Sequence, residues 1–244
     1  MRIESILIPL SLVVLLVCFF NRDRLPRPEP VPPLLQQEPR QSRASERPFA
    51  VRYADTDYRI APEFDYELTG MVVSFRHHDG DSRMHRRAGD HLNMLDLCVV
   101  WGDNVAHPDL NELDFWNGIF TCNVSTRDRD AWAAFDMYQL SNNHLISDRP
   151  EVRDAVRGVR IGDQIRVRGW LSSYTGPAGT RGTSTTRSDT GDGACETIYV
   201  QDFVIVERPG NLYRSGLWGS SASLLFALTL YFRRPYRPYA RQRS

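Results

Sequence analysis

Two apolar segments bracket this chain, residues 3–20 and 217–232, and the long stretch between them is polar enough to stay in water. A helix needs about 17–25 mostly apolar residues to cross about 30 Å of hydrocarbon, so both segments read as spans. The layout predicts one water-soluble domain held to a lipid bilayer by both ends. The first span ends in Cys18-Phe19-Phe20 and runs straight into Asn21-Arg22-Asp23-Arg24 with no small-residue cleavage site, so an uncleaved anchor is expected over residues 1–20. Val17 stands where a lipoprotein signal carries a small residue, which argues against lipidation of Cys18. The second span is expected over 212–232, where Gly219, Ser223 and Ala227 recur every four residues as a stripe that lets another helix approach closely.

Basic residues set the orientation. The tail 233–244 carries Arg233, Arg234, Arg237, Arg241 and Arg243 without an acid, which holds it in the cytoplasm and points the domain to the periplasm of a bacterial inner membrane. Arg22, Arg24 and Arg27 pull the other way. All 30 basic residues are arginine, a pattern that suits G- and C-rich coding, so an exposed arginine alone is weak evidence of anion recognition. A formal net charge of zero gives no global attraction toward nucleic acid.

Residues 21–50 hold seven prolines among charged and polar residues, a composition that predicts an extended spacer rather than a packed core. The folded domain is expected over 53–208. Strand patterns occur at 64–76, where the alternation changes parity around Gly70 as a bulge would require, at 95–101 and at 118–124. Helical patterns follow at 128–135 and 150–159, the second with Asp148 as a candidate cap. Strands return at 164–173, with Ile165, Val167 and Leu171 alternating against Arg166, Arg168 and Trp170, and at 197–206. The fold class is therefore mainly β with short helices. Three strands, a helix and two strands resemble the OB-fold, a five-stranded Greek-key barrel, here flanked by two transmembrane helices.

The phrases DLCVVWGDN at 96–104, LSNNHLI at 140–146 and RGTSTTRSDTGDGACETIYV at 181–200 resemble a group of bacterial membrane-anchored envelope proteins with no assigned function. The resemblance spans most of 64–206 and implies an envelope setting. It carries no catalytic residues across.

Three classes of function follow. The first is a binding or scaffolding domain whose long loop, with Arg181, Thr183, Ser184, Arg187 and Asp189, holds an anionic or glycan ligand or an envelope protein. The same loop residues are ordinary turn formers, which is the plainer account of them. The second is a thiol-dependent hydrolase with Cys195 as nucleophile, His144 as base and Glu196 or Asp189 as orienter, although Cys195 opens a strand and lacks a helix N-terminus to activate it. The third is single-stranded nucleic-acid binding through Trp170, Arg166 and Arg168, which neutral charge and a periplasmic setting disfavour. His77, His78, Asp79, His85 and His91 match no tight ligand spacing, so no metal and no cofactor are expected. Cys98 and Cys122 fall on consecutive predicted strands; a disulfide and two buried thiols both remain open, with Cys195 as a further partner.

Overall fold

The computed structural model describes residues 3–78, 90–118, 120–186, 189 and 194–233. In chain order its elements are α1 (Ile3–Asn21), β1 (Arg40–Arg43), β2 (Phe49–Tyr53), β3 (Thr56–His77), β4 (Asn93–Val100), β5 (Asp114–Asn117), β6 (Cys122–Ser125), α2 (Arg129–Ala134), β7 (Leu140–Ile146), α3 (Pro150–Arg157), β8 (Gln164–Gly176), β9 (Gly179–Arg181), β10 (Cys195–Glu207) and α4 (Leu212–Phe232). The chain is mainly β with a few helices. It divides into two units, Met1–Arg24 with Gly210–Ser244, and Leu25–Pro209.

In the first unit α1 and α4 lie side by side, and Ser11 Oγ donates to Ser223 Oγ at 2.9 Å. A Cβ on Gly216 would meet Cys18 Sγ at 2.5 Å, so a larger residue there would force the cysteine side chain to shift. The contact stripe on α4 is Gly216, Ser220, Ser223 and Ala227; Gly219, expected to belong to it, would have nothing within 4 Å of a Cβ. Among the described residues only α1 is long and apolar enough to cross a membrane. At 21 residues α4 has the length, but Arg214, Ser215, Gly216 and the run of small polar residues to Ser223 dilute it. The expectation of a second spanning helix over 212–232 is not met.

In the second unit the strand order β3-β4-β7-β10-β8 returns from β8 to β3, closing a ring of five strands. Neighbours are antiparallel except β7 and β10, which run parallel. Alternation explains the ring's interior: Leu68, Leu97, Leu145, Val167 and Ile198 from the five strands all join one buried cluster. Val152, Val156 and Val159 from α3 and the residues just beyond it complete that cluster. Burying such side chains stabilises by about 1.5–3 kcal/mol each, enough to fix which parity faces in.

Several expectations are corrected. The third strand of the ring is β7, not 118–124; among the described residues β6 instead pairs with β5 in a separate hairpin. The polar Asn142, Asn143 and His144 hide the strand pattern of β7. There is no bulge at Gly70; the register of β3 shifts between Val72 and Ser74 against β4, and between Pro62 and Phe64 against β8. Met71 and Val73 accordingly face outward, into a second cluster with Val105, Leu110, Leu113 and Phe135. Gly70 serves close approach, since a Cβ there would sit 2.6 Å from Val100 O. Asp148 does not cap α3; it accepts the Tyr199 hydroxyl at 2.5 Å, and Arg149 occupies the cap position without a side-chain bond.

The proline-rich segment is not a free spacer beyond Arg24. Leu25 and Leu35 are buried in the second cluster, Asn111 exchanges hydrogen bonds with Leu25 at 2.8 and 3.1 Å, and β1 pairs with β3. Apolar residues among the prolines supply what extended backbone alone lacks. Cys98 and Cys122 form a disulfide with Cα atoms 5.7 Å apart, tying the β5–β6 hairpin to the outer face of β4. Because β6 does not pair with β4, the poor geometry of adjacent strands does not apply.

Candidate functional site

Strand register brings six polar-parity residues onto the outer face of the ring. Asp96 on β4 lies opposite His144 on β7, and His144 opposite Thr197 on β10. Two residues along, Cys98 lies opposite Asn142, and Asn142 opposite Cys195. Inner-face leucines on the same strands hold this face in place from behind.

Asp96 is fully buried and carries two imidazoles: His144 Nδ1 lies 2.6 Å from its Oδ1, and His78 Nε2 lies 2.5 Å from its Oδ2. Asn93 Nδ2 donates to Oδ1 at 3.3 Å. Burial pushes the Asp96 carboxyl up, but hydrogen bonds from His144 and then His78 outweigh it and hold the group well below its ordinary value. Burial likewise pushes the His144 ring down, yet its bonds with Asp96 and then Cys195 raise it to about 9. With Nδ1 taken by Asp96, Nε2 is the nitrogen left for the Cys195 thiol. That is the arrangement in which a carboxylate fixes the tautomer and orientation of a base that serves a nucleophile. Direct nitrogen–oxygen bonds of this length leave no space for an ion about 2 Å from each ligand, and among the described residues no cluster has metal-binding geometry.

Asn142 Nδ2 donates to Cys195 Sγ at 3.2 Å and to Phe120 O at 2.9 Å. Phe120 adopts φ 59°, a left-handed conformation that costs a bulky residue about 1–2 kcal/mol and is often kept at functional sites. Its ring stacks on His78 at 5.9 Å and meets His144 edge-on at 5.7 Å. The Arg181 guanidinium lies over the opposite part of the same neighbourhood, its Cζ 4.1 Å from the Phe120 centroid. Arg181 Nε pairs with the buried Asp90 at 3.3 Å, and Asp90 also accepts the Tyr174 hydroxyl at 2.7 Å. An open cavity of about 330 Å³ lies here, lined by His144, Tyr174, Arg181, Thr183, Ser184 and Cys195 among others.

Two separate sequence hypotheses thus share one cavity. Their parts change role, however. The loop hydroxyls are engaged inside the protein: Thr183 Oγ1 accepts from Thr197 N at 2.9 Å and donates to Ser184 O at 3.1 Å. Ser184 Oγ donates to Asp189 Oδ2 at 2.5 Å, and Ser184 N donates to Cys195 O at 2.8 Å. Thr197 Oγ1 donates to Gly182 O at 2.9 Å. This strap fixes the start of β10, and so the position of Cys195, while Thr183 and Ser184 also line the cavity. Arg187 lies outside the described residues, as do Asp79 and His85. The carboxylate bonded to His144 is Asp96, not Glu196 or Asp189.

Asp96, Asn142 and Phe120 were not singled out from the sequence, and His78 was weighed there only as a metal ligand. Asp96 left one signal, an acid on the polar parity of a strand buried along its whole length. Trp170 is packed rather than offered to a base: it stacks on Tyr199 at 5.8 Å, meets Phe49 edge-on and donates Nε1 to Asp65 at 2.9 Å. Arg166 and Arg168 pair with Asp202 and Glu67. Comparison of the chain with protein families, curated proteins and solved structures gives no match.

Proposed function

We propose that this is a thiol-dependent hydrolase or acyl transferase displayed at the bacterial inner membrane, with Cys195 as nucleophile, His144 as its base and Asp96 as the orienting carboxylate. The observation that carries the reading is the buried Asp96–His144 pair, with His144 and Cys195 lining one cavity and Cys195 raising the His144 ring. In the reaction the thiolate attacks an electrophilic carbonyl carbon, and His144 carries the thiol proton. The tetrahedral adduct collapses, the leaving group departs with that proton, and a thioester to Cys195 remains. Water, or an acceptor nucleophile, then gives its proton to His144, attacks the thioester and returns the free thiol. Asn142 steadies the sulfur through its amide N–H. The lack of a helix N-terminus at Cys195 is offset by this amide and by the imidazolium.

The carrying domain is in our reading an OB-like barrel facing the periplasm. The ring order, the parallel β7–β10 closure and α3 between the third and fourth ring strands support the first part. A disulfide, which persists in oxidising compartments, supports the second. The apolar helix α1 and the sequence resemblance to envelope proteins support membrane attachment.

The test is acyl capture. The full chain in nonionic detergent is incubated with p-nitrophenyl esters and thioesters, and the Cys195 peptide is examined by mass spectrometry. A thioester on Cys195, with release of nitrophenol lost in Cys195→Ser, is expected. Equal ester turnover in Cys195→Ser overturns the assignment. A second reading, a binding domain without chemistry, is favoured by Arg181 at the cavity; under it Cys195→Ser keeps the cellular function that Arg181→Ala removes.

A further inference from the structure

Most polar groups around the cavity are committed to neighbours. Thr183, Ser184 and Thr197 brace the strap, Tyr174 serves Asp90, Asn142 serves Phe120 and Cys195, and Asn93 serves Asp96. Arg181 differs. Its Nε is held by Asp90 and its flat face rests on Phe120, while among the described residues its two terminal nitrogens make no hydrogen bond. Such a guanidinium is pre-oriented, with its side-chain freedom already lost and a two-pronged donor edge still open. Arg181 Nε and the Tyr174 hydroxyl both bond Asp90 Oδ2; Asp90 is itself buried and fixes the arginine without occupying that edge.

The location of the edge matters as much as its freedom. Phe120 is the shared neighbour of both halves of the site: its ring lies under Arg181 and against His144, and its carbonyl oxygen lies 3.7 Å from Cys195 Sγ. Arg181 and Cys195 line the same cavity. A small substrate whose reacting carbon meets the sulfur therefore shares its cavity with a fixed cation. Resting on the nucleophile reading above, we infer that Arg181 determines specificity by selecting substrates with a carboxylate next to the carbon that Cys195 attacks.

Two alkylating agents of nearly equal size test this with the intact chain in nonionic detergent. Iodoacetate carries the carboxylate, and iodoacetamide replaces it with a neutral amide. In each case the Cys195 sulfur displaces iodide from the CH2 carbon, and the S-alkyl product is quantified on the Cys195 peptide so that Cys18 does not contribute. The inference expects wild type to show a higher iodoacetate-to-iodoacetamide rate ratio than glutathione. It expects Arg181→Gln to lower the iodoacetate rate about fivefold or more with the iodoacetamide rate within about twofold, and Arg181→Lys, which keeps the charge but loses the fork and its Nε anchor, to retain only part of the preference. In wild type, raising salt from about 20 mM to about 500 mM should slow iodoacetate alone. A ratio unmoved by both Arg181→Gln and salt overturns the inference, and the salt arm decides it even where the variant folds poorly. Failure of the nucleophile reading looks different: the iodoacetamide rate itself is then indifferent to His144.

Discussion

Asp96 holds His144 through Nδ1 at 2.6 Å, and that choice of nitrogen leaves Nε2 for Cys195. The pair is coupled to folding as well as to chemistry. His144 stands at about 9 in the folded chain against an ordinary 6.5, so its stabilisation is fully present below pH 6.5 and is lost as pH rises through 9. Asp96 is held below its ordinary 3.8, so its contribution is present above 3.8 and is lost as pH falls further. The melting-temperature gap between wild type and His144→Gln should therefore be widest between about pH 4 and about pH 6.5 and should shrink toward about pH 10. Thermal melts across this range check it; a gap independent of pH contradicts the pairing.

Thr183 is assigned to bracing rather than to binding. Thr183→Val removes the acceptor of the buried Thr197 N–H and should cost about 1–3 kcal/mol, a drop of several degrees in melting temperature. A melt unchanged from wild type would return this hydroxyl to the list of ligand groups.

Val167 and Arg168 test which parity of β8 faces the ring interior. Val167→Asp places an unpaired charge in the inner cluster and should cost several kcal/mol, enough to prevent folding. Arg168 lies on the outer face in an exposed pair with Glu67 at 3.1 Å, so Arg168→Ala should change stability by less than about 1 kcal/mol. Circular dichroism melts on both variants decide the register, and similar behaviour would contradict it.

The Cys98–Cys122 bridge closes a loop of sequence separation 24, for which chain-entropy arguments give about 3 kcal/mol. Cys98→Ala with Cys122→Ala should lower the melting temperature by several degrees, and reductant should then have no further effect. Wild type should lose a similar amount on reduction. A melt insensitive to reductant in wild type would show that the bridge contributes nothing.

Alternation in the sequence was sufficient for β8, β10 and the inner face of β4, because one buried face imposes a period of two. It failed at β7, where Asn142, Asn143 and His144 interrupt the apolar pattern: the residues that make the site are the ones that obscure its strand. It failed again at β3, where Met71 and Val73 serve a second cluster on the outer face and imitate a bulge. The proposed nucleophile and base, Cys195 and His144, were readable by residue type, but their carboxylate partner was sought near Cys195 in sequence. Asp96 reaches His144 only through strand pairing across 48 positions, which no local spacing reports. The prolines of the N-terminal segment, for their part, concealed Leu25 and Leu35, two side chains that attach it to the domain.

The central claim is that His144, oriented by Asp96, activates Cys195. It is tested most directly by the rate at which iodoacetamide alkylates Cys195 at pH 7 in wild type, His144→Gln and Asp96→Asn, read by mass spectrometry on the Cys195 peptide of the full chain. Because the thiolate is the reacting species, the account predicts a fall of about tenfold or more in His144→Gln and a smaller fall in Asp96→Asn, with wild-type secondary structure retained. Equal alkylation rates in all three proteins would contradict it.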